Sequence, residues 1–251
     1  NVSYSYSSSN IPAISHVNLT IGPSQFIFIT GPNGSGKTSL AGLITGIVQP
    51  TGGNIFIDDI KLQPPTALKF HKAITFITQN EEMYPVSLRE NLLLGLTNET
   101  DRSSVKDADL DTAVRLGGAM HCIERCGYDA VPNPITITSE SIEDTAGYAA
   151  LAARDRFSPV PLVVLDEPFN ALDPLAESQI LEEFRQIAAK NGQTLIVVTN
   201  RLASVAHHAD LIIYMNNGKV EEQGTQVELI KSRGSYSALY NAQIPVEYRG
   251  I

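Results

Sequence analysis

The stretch QFIFITGPNGSGKT, residues 25–38, decides the fold. Residues 25–30 are a short, apolar, β-prone run, residues 31–36 are turn-rich, and residues 37–48 read as a helix. Gly31-Pro32-Asn33-Gly34-Ser35-Gly36-Lys37-Thr38 matches G-x-x-x-x-G-K-[ST] in full, in the strand–loop–helix context that a phosphate loop requires. Glycines let backbone N–H groups turn inward and approach phosphate oxygens. Lys37 places a point charge at the β and γ phosphates, and Thr38 offers a hydroxyl to Mg²⁺. The helix aims its positive end at the anion. With Ser39 behind them, these residues predict binding of a nucleoside triphosphate.

Further apolar runs at residues 73–78 (AITFIT), 162–165 (LVVL), 195–199 (LIVVT) and 211–215 (LIIYM) predict buried strands. Residues 175–190 predict an amphipathic helix through Ile180, Leu181, Phe184, Ile187 and Ala188. Asn217-Gly218 reads as a hairpin turn. Residues 80–158 differ: helical character at 88–94 and 110–126, with a strand signal only at 135–138. The expected fold is α/β, a mostly parallel core from residues 1–79 and 159–251 with a helical lobe, 80–158, inserted into it.

Composition narrows the function. The 251 residues are 43% hydrophobic and 18% charged, enough for a sizeable core. Lys plus Arg number 18 against 27 Asp plus Glu, a net charge of −9, which argues against a general nucleic-acid binder. No apolar run approaches the roughly eighteen residues that span a bilayer. The first residue is Asn1, and the chain is expected to be a piece of a longer polypeptide whose membrane segment lies elsewhere. Cys122 and Cys126, one helical turn apart, read as reduced thiols; His121 alone does not make a zinc site of them.

The run Leu162-Val-Val-Leu-Asp166-Glu167 supplies a second element. An acid ending a buried strand can hold the magnesium shell, the role of Asp166, and Glu167 beside it can polarise an attacking water. With these residues the chain resembles the nucleotide-binding domain of ABC transporters, especially of the exporter type, over almost its whole length. The resemblance implies a P-loop NTPase core of the RecA-like kind with an N-terminal antiparallel β subdomain. It makes Tyr6 an adenine-stacking residue on the opening strand. It makes Gln79 the Q-loop glutamine, reaching Mg²⁺ and water and linking to the helical lobe. Asn170-Ala-Leu-Asp173 resembles the D-loop, residues 201–224 (RLASVAHHADLIIYMNNGKVEEQG) the exporter pattern, and Tyr236, Leu239 and Tyr240 the terminal helix.

Two family elements are altered. The switch histidine should precede Arg201-Leu202, and Asn200 stands there. An asparagine amide still donates a hydrogen bond but is shorter and never cationic. His207 and His208, in the following turn, do not replace it. The signature L-S-G-G-Q is also missing: counting back from Asp166 gives Ile142-Glu143-Asp144-Thr145-Ala146, or, with a two-residue deletion, Asp144-Thr145-Ala146-Gly147-Tyr148. Arg154 matches in both registers. Glu143 and Asp144 near an anion would repel it, though Asp144 could simply cap the next helix.

The resemblance thus implies an ATP-binding domain with ATP and Mg²⁺ as ligands, working at the cytoplasmic face of a membrane within a larger protein. A second nucleotide-binding domain, an unequal one by preference, is expected as partner, and a transmembrane domain is met through Gln79 and the helical lobe. Losing one transition-state donor costs on the order of 10²–10³ in rate, so binding is expected to survive and hydrolysis to be slow. An ATP-dependent interaction module with little hydrolysis is the alternative. A soluble ABC-type ATPase fits the acidic balance poorly, and a small-molecule kinase lacks a basic lid and gives residues 170–173 no place.

Overall fold

The computed structural model describes residues 1–9, 11–64, 66, 70, 73–78, 84–94, 96, 99–116, 120–131, 160–168, 174–201 and 206–243. The expectations at Gln79, residues 135–138, 142–148 and 170–173, and Arg154 lie outside them. The strands are β1 (Val2–Tyr4), β2 (Ile14–Val17), β3 (Phe26–Thr30), β4 (Phe56–Ile57), β5 (Ile60–Lys61), β6 (Ile74–Ile77), β7 (Leu162–Asp166), β8 (Thr194–Val198), β9 (Leu211–Asn216) and β10 (Lys219–Gly224). The helices are α1 (Lys37–Thr45), α2 (Leu88–Leu93), α3 (Glu99–Ser104), α4 (Asp107–Leu116), α5 (Met120–Cys126), α6 (Pro174–Asn191), α7 (Gln226–Ser232) and α8 (Ser235–Gln243).

Two compact units emerge. One comprises residues 1–76, 161–167 and 192–251. Its main sheet has the order β10-β9-β3-β8-β7-β6. β3 pairs in parallel with both β8 and β9, and β7 in parallel with β8. All five residues of β3 and of β8 are buried, the continuous apolar pattern of strands covered on both faces. Ile27, Ile29, Val164, Ile196, Val198 and Ile213 form the core with Leu40 and Leu43 of α1. β9 and β10 are antiparallel across Asn217-Gly218, as expected of that dipeptide. β1 and β2 make a separate antiparallel pair.

The register positions the site. It sets Ile29 beside Val198, and Val198 beside Asp166. Three chain segments therefore leave the carboxyl edge of the sheet as neighbours, at Gly31, at Thr199-Asn200 and at Glu167. That edge is where open parallel sheets bind ligands.

The other unit comprises residues 77–160 and 168–191. Leu92, Leu110 and Val114 form its buried cluster, with Met120, Ile123 and Tyr128 packed against it. Ser87 and Glu90 close a capping box on α2. Arg89 pairs with Asp107 at 2.6 Å and lies over the Tyr128 ring.

Some boundaries differ from the sequence expectation. The first helix stops at Thr45 instead of 48, because Gly46 turns left-handed and donates to Leu43 O. The helical character expected at 110–126 is met by α4 up to Leu116 and by α5 from Met120. The hairpin β4–β5, turning through Asp58 and Asp59 at φ 47° and 63°, was not anticipated.

Candidate functional site

The loop between β3 and α1 owes its shape to close backbone contacts. Gly31 has φ 145°, and a Cβ there would lie 2.1 Å from Met215 O of β9. Gly36, φ 100°, precedes α1, and a Cβ there would lie 2.5 Å from Ala13 O. Ser35 N–H donates to Pro32 O at 3.1 Å, and Gly218 N–H donates to Ser35 O at 3.0 Å, pinning the loop to the β9–β10 turn. Helix α1 begins with no side-chain cap and no acidic residue in its first turn. Its positive end is thus not neutralised by a local side chain, which favours an anion there.

Lys37 is 6% exposed, and its Nζ donates to Gly31 O (3.0 Å) and Pro32 O (3.1 Å). Burial pushes the ammonium below the usual lysine value, while Glu167 and Asp166 pull it back up. The charge is held inside the loop, where a phosphate would compete with two carbonyls for it.

Asp166 ends β7 and is 3% exposed. Burial raises its carboxyl above the usual range; a hydrogen bond from Thr38 and the charge of Lys37 oppose the rise, and Glu167 adds to it. Asp166 Oδ1, Thr30 Oγ1 and Ser35 Oγ are buried without a hydrogen-bond partner. Such atoms cost about 1–3 kcal/mol each when left unsatisfied. Three of them on the loop and the strand ends beside it are what a ligand site provides. A threonine hydroxyl beside a carboxylate suits a hard divalent cation.

Glu167 leaves β7 at φ 47°, held by donation of its N–H to Val198 O at 2.8 Å. A left-handed glutamate costs about 1–3 kcal/mol, and such strain concentrates at functional sites. Asn200, just past β8, donates through Nδ2 to Glu167 Oε1 (3.0 Å) and to Asn33 Oδ1 (2.7 Å). A carboxylate only accepts, so the nitrogen must be the atom facing Glu167, and this fixes the orientation of the amide. Asn200 Oδ1 is buried without a partner.

Tyr6, two residues past β1, is 44% exposed. Its hydroxyl and Ser39 Oγ are 3.0 Å apart, and Tyr4 meets its ring edge-on at 4.9 Å. Phosphate loop, Tyr6, Asp166, Glu167 and Asn200 thus all belong to the first unit. Gln79, proposed for magnesium, lies outside the described residues. His207 and His208 are exposed on the 3-10 turn Ala206–His208. Gln243 was missed: its Nε2 donates to the main-chain oxygen of Asn200 at 2.6 Å. No motif marks it, but helical spacing from Tyr236 and Tyr240 puts it on their face of α8.

The family model for the ABC transporter matches residues 14–141, more than half of the chain. The chain belongs to the ABC transporter family. Among its relatives, an uncharacterised ABC transporter ATP-binding protein of Bacillus subtilis, YfiC, is 29% identical over 92% of the chain and 36% of its own length. An ATP-dependent lipid A-core flippase of Chromohalobacter salexigens is 29% identical, covering 96% of the chain and 40% of the flippase. A bacterial Atm1-family ABC exporter with ATP bound superposes with a TM-score of 0.85 at 23% identity, over 97% of the chain and 41% of the exporter. An ATP-binding cassette in a dimeric post-hydrolysis state, bound to ADP and Pi, superposes at 0.74 with 26% identity, over 90% of the chain and 96% of that cassette. The expected fold, a P-loop ABC ATPase with a mostly parallel sheet and an antiparallel N-terminal pair, is borne out. The chain spans 36% and 40% of the length of the two relatives named first. Among the described residues no helix is long and apolar enough to cross a membrane.

Proposed function

We propose that this chain is the ATP-binding domain of an exporter-type ABC transporter, coupling ATP binding and slow hydrolysis to transport across a membrane. One observation carries the reading: Lys37, Asp166, Glu167 and Asn200 converge at the carboxyl edge of one sheet, behind a phosphate loop whose lysine is turned inward. Tyr6 stacks on the adenine, the residues from Gly31 to Ser39 hold the phosphates, and Glu167 accepts the proton of the attacking water. Thr38, Asp166 and Gln79 would hold Mg²⁺, whose charge would offset that developing on the phosphates. The test is ATP binding by wild type and Lys37→Ala. Equal affinities sink the proposal.

The domain pairs head-to-tail with a second nucleotide-binding domain at the cytoplasmic face of the membrane. It meets its transmembrane part through Gln79 and the 80–158 lobe. The altered stretch at residues 142–148 favours an unequal partner, and therefore two unequal sites. One of them holds ATP long and hydrolyses it poorly. Trapping labelled nucleotide in the assembled transporter tests this, and identical occlusion and hydrolysis at both sites would contradict it.

An ATP-dependent interaction module is the second reading. What favours it is Asn200, a neutral amide where the family resemblance leads one to expect a histidine.

A further inference from the structure

The main chain around Asn200 is tied on both sides. Thr199 N–H donates to Ile29 O at 3.1 Å, and Arg201 N–H donates to Thr199 Oγ1 at 3.0 Å. The carbonyl of Asn200 accepts from Gln243 Nε2 at 2.6 Å. One residue therefore has both ends engaged: its amide inside the site, on Asn33 and Glu167, and its carbonyl outside, on the last residue of α8. Helix α8 is itself anchored at its other end. Tyr236 is fully buried, its N–H donates to Glu222 Oε1 at 3.1 Å, and Ser235 Oγ donates to Glu221. Both acids lie on β10, so α8 runs from the edge of the sheet to the catalytic edge as a strut about 14 Å long.

We propose that Gln243 is a positioning residue: by holding the Asn200 carbonyl it keeps the Asn200 amide across Asn33 and Glu167. The docking of α8 thereby sets the alignment of the water-activating carboxylate. This rests on the reading of the site as one that hydrolyses ATP. Gln243 is exposed, and a surface hydrogen bond contributes little to folding, so its variants fold. Alignment is more sensitive, since a displacement of about 1 Å at a reacting group can cost on the order of 100-fold in rate.

The experiment uses the full-length protein with its partner domain. Q243A, Q243E and Q243K are compared in the wild-type and N200A backgrounds, reading kcat, KM and ATP affinity, together with a crystal structure of Q243A. Q243A and Q243E are expected to lower kcat about 3- to 30-fold, with KM and affinity unchanged. Q243K, which restores an N–H donor, recovers most of the loss. In the N200A background none of the three has a further effect. The Q243A structure shows the Asn200 amide off Glu167. An unchanged kcat in Q243A, an equal fall in the N200A background, or an intact Asn200–Glu167 bond in the Q243A structure overturns the proposal. A wild type that binds ATP without turnover, or does not bind it, defeats the ATPase reading instead; the position of Asn200 in the Q243A structure then decides the tether alone.

Discussion

The side-chain amide of Asn200 donates to the carboxylate of Glu167 at 3.0 Å. A neutral donor there keeps the carboxylate in place but brings no positive charge toward a γ phosphate. Geometry and charge, which one histidine would supply together, are separated at this position.

Asn200→His should therefore raise hydrolysis, by about 10- to 100-fold. The gain should carry a pH limb near the imidazole value of about 6.5, which wild type lacks. Asn200→Ala should lower turnover below wild type while ATP still binds. Steady-state phosphate release from pH 5.5 to 8.5 measures both. If Asn200→His and Asn200→Ala behave alike, residue 200 does not act on the reaction.

Those parts of the site were legible whose chemistry is local in sequence. The loop from Gly31 to Thr38 announces itself because a strand, glycines and a lysine must follow one another to fold around phosphate. Asp166 was readable as an acid ending an apolar run. Tertiary pairings were not readable. Nothing near Asn33 says that its oxygen accepts a hydrogen bond from Asn200, 167 residues away. Gln243 is an ordinary polar residue until α8 brings it to the Asn200 carbonyl. The helix boundary at Gly46 was readable in principle, since glycine closes helices, but the apolar Ile47 and Val48 extend the periodic pattern past it. The β4–β5 hairpin escaped because each strand is only two residues long.

The proposed stacking of Tyr6 on adenine predicts that base and phosphate recognition can be separated by mutation. Its ring lies against Tyr4, and its hydroxyl is 3.0 Å from Ser39 Oγ. Tyr6→Ala should weaken ATP binding by about 1–3 kcal/mol, the range for stacking on a base. Tyr6→Phe keeps the ring and should lose no more than the worth of one hydrogen bond, about 0.5–1.5 kcal/mol. Calorimetry with ATP and with inorganic triphosphate gives the contrast. An equal loss for both ligands means that the ring does not meet the base.

Asp166 makes the nucleotide-free protein sensitive to pH in a definite direction. Its folded-state pKa lies above the unfolded value, chiefly through burial. The stability tied to its proton is fully present below the unfolded value of about 3.9 and is lost as pH rises through the folded one. Wild type should therefore lose unfolding free energy relative to Asp166→Asn as pH climbs above about 4, and the difference should then level off. Urea denaturation of both proteins without nucleotide or magnesium, in steps from pH 3.5 to 7.5, follows it. A flat difference would mean that Asp166 titrates alike in both states.

Glu167 decides between the two functional readings. Its left-handed backbone is strain that an interaction module has no use for, whereas a carboxylate that must meet a water does. Glu167→Gln keeps the size and can still accept from Asn200, so the loop and its affinity for ATP should be preserved. An amide cannot take the water's proton, and general-base catalysis is worth about 10²–10⁴-fold. Turnover should therefore drop by about that factor while ATP affinity stays within twofold. Single-turnover hydrolysis and equilibrium binding, measured on the same preparation, settle the case. Undiminished turnover in Glu167→Gln would remove Glu167 from the chemistry and leave nucleotide binding itself as the function of the site.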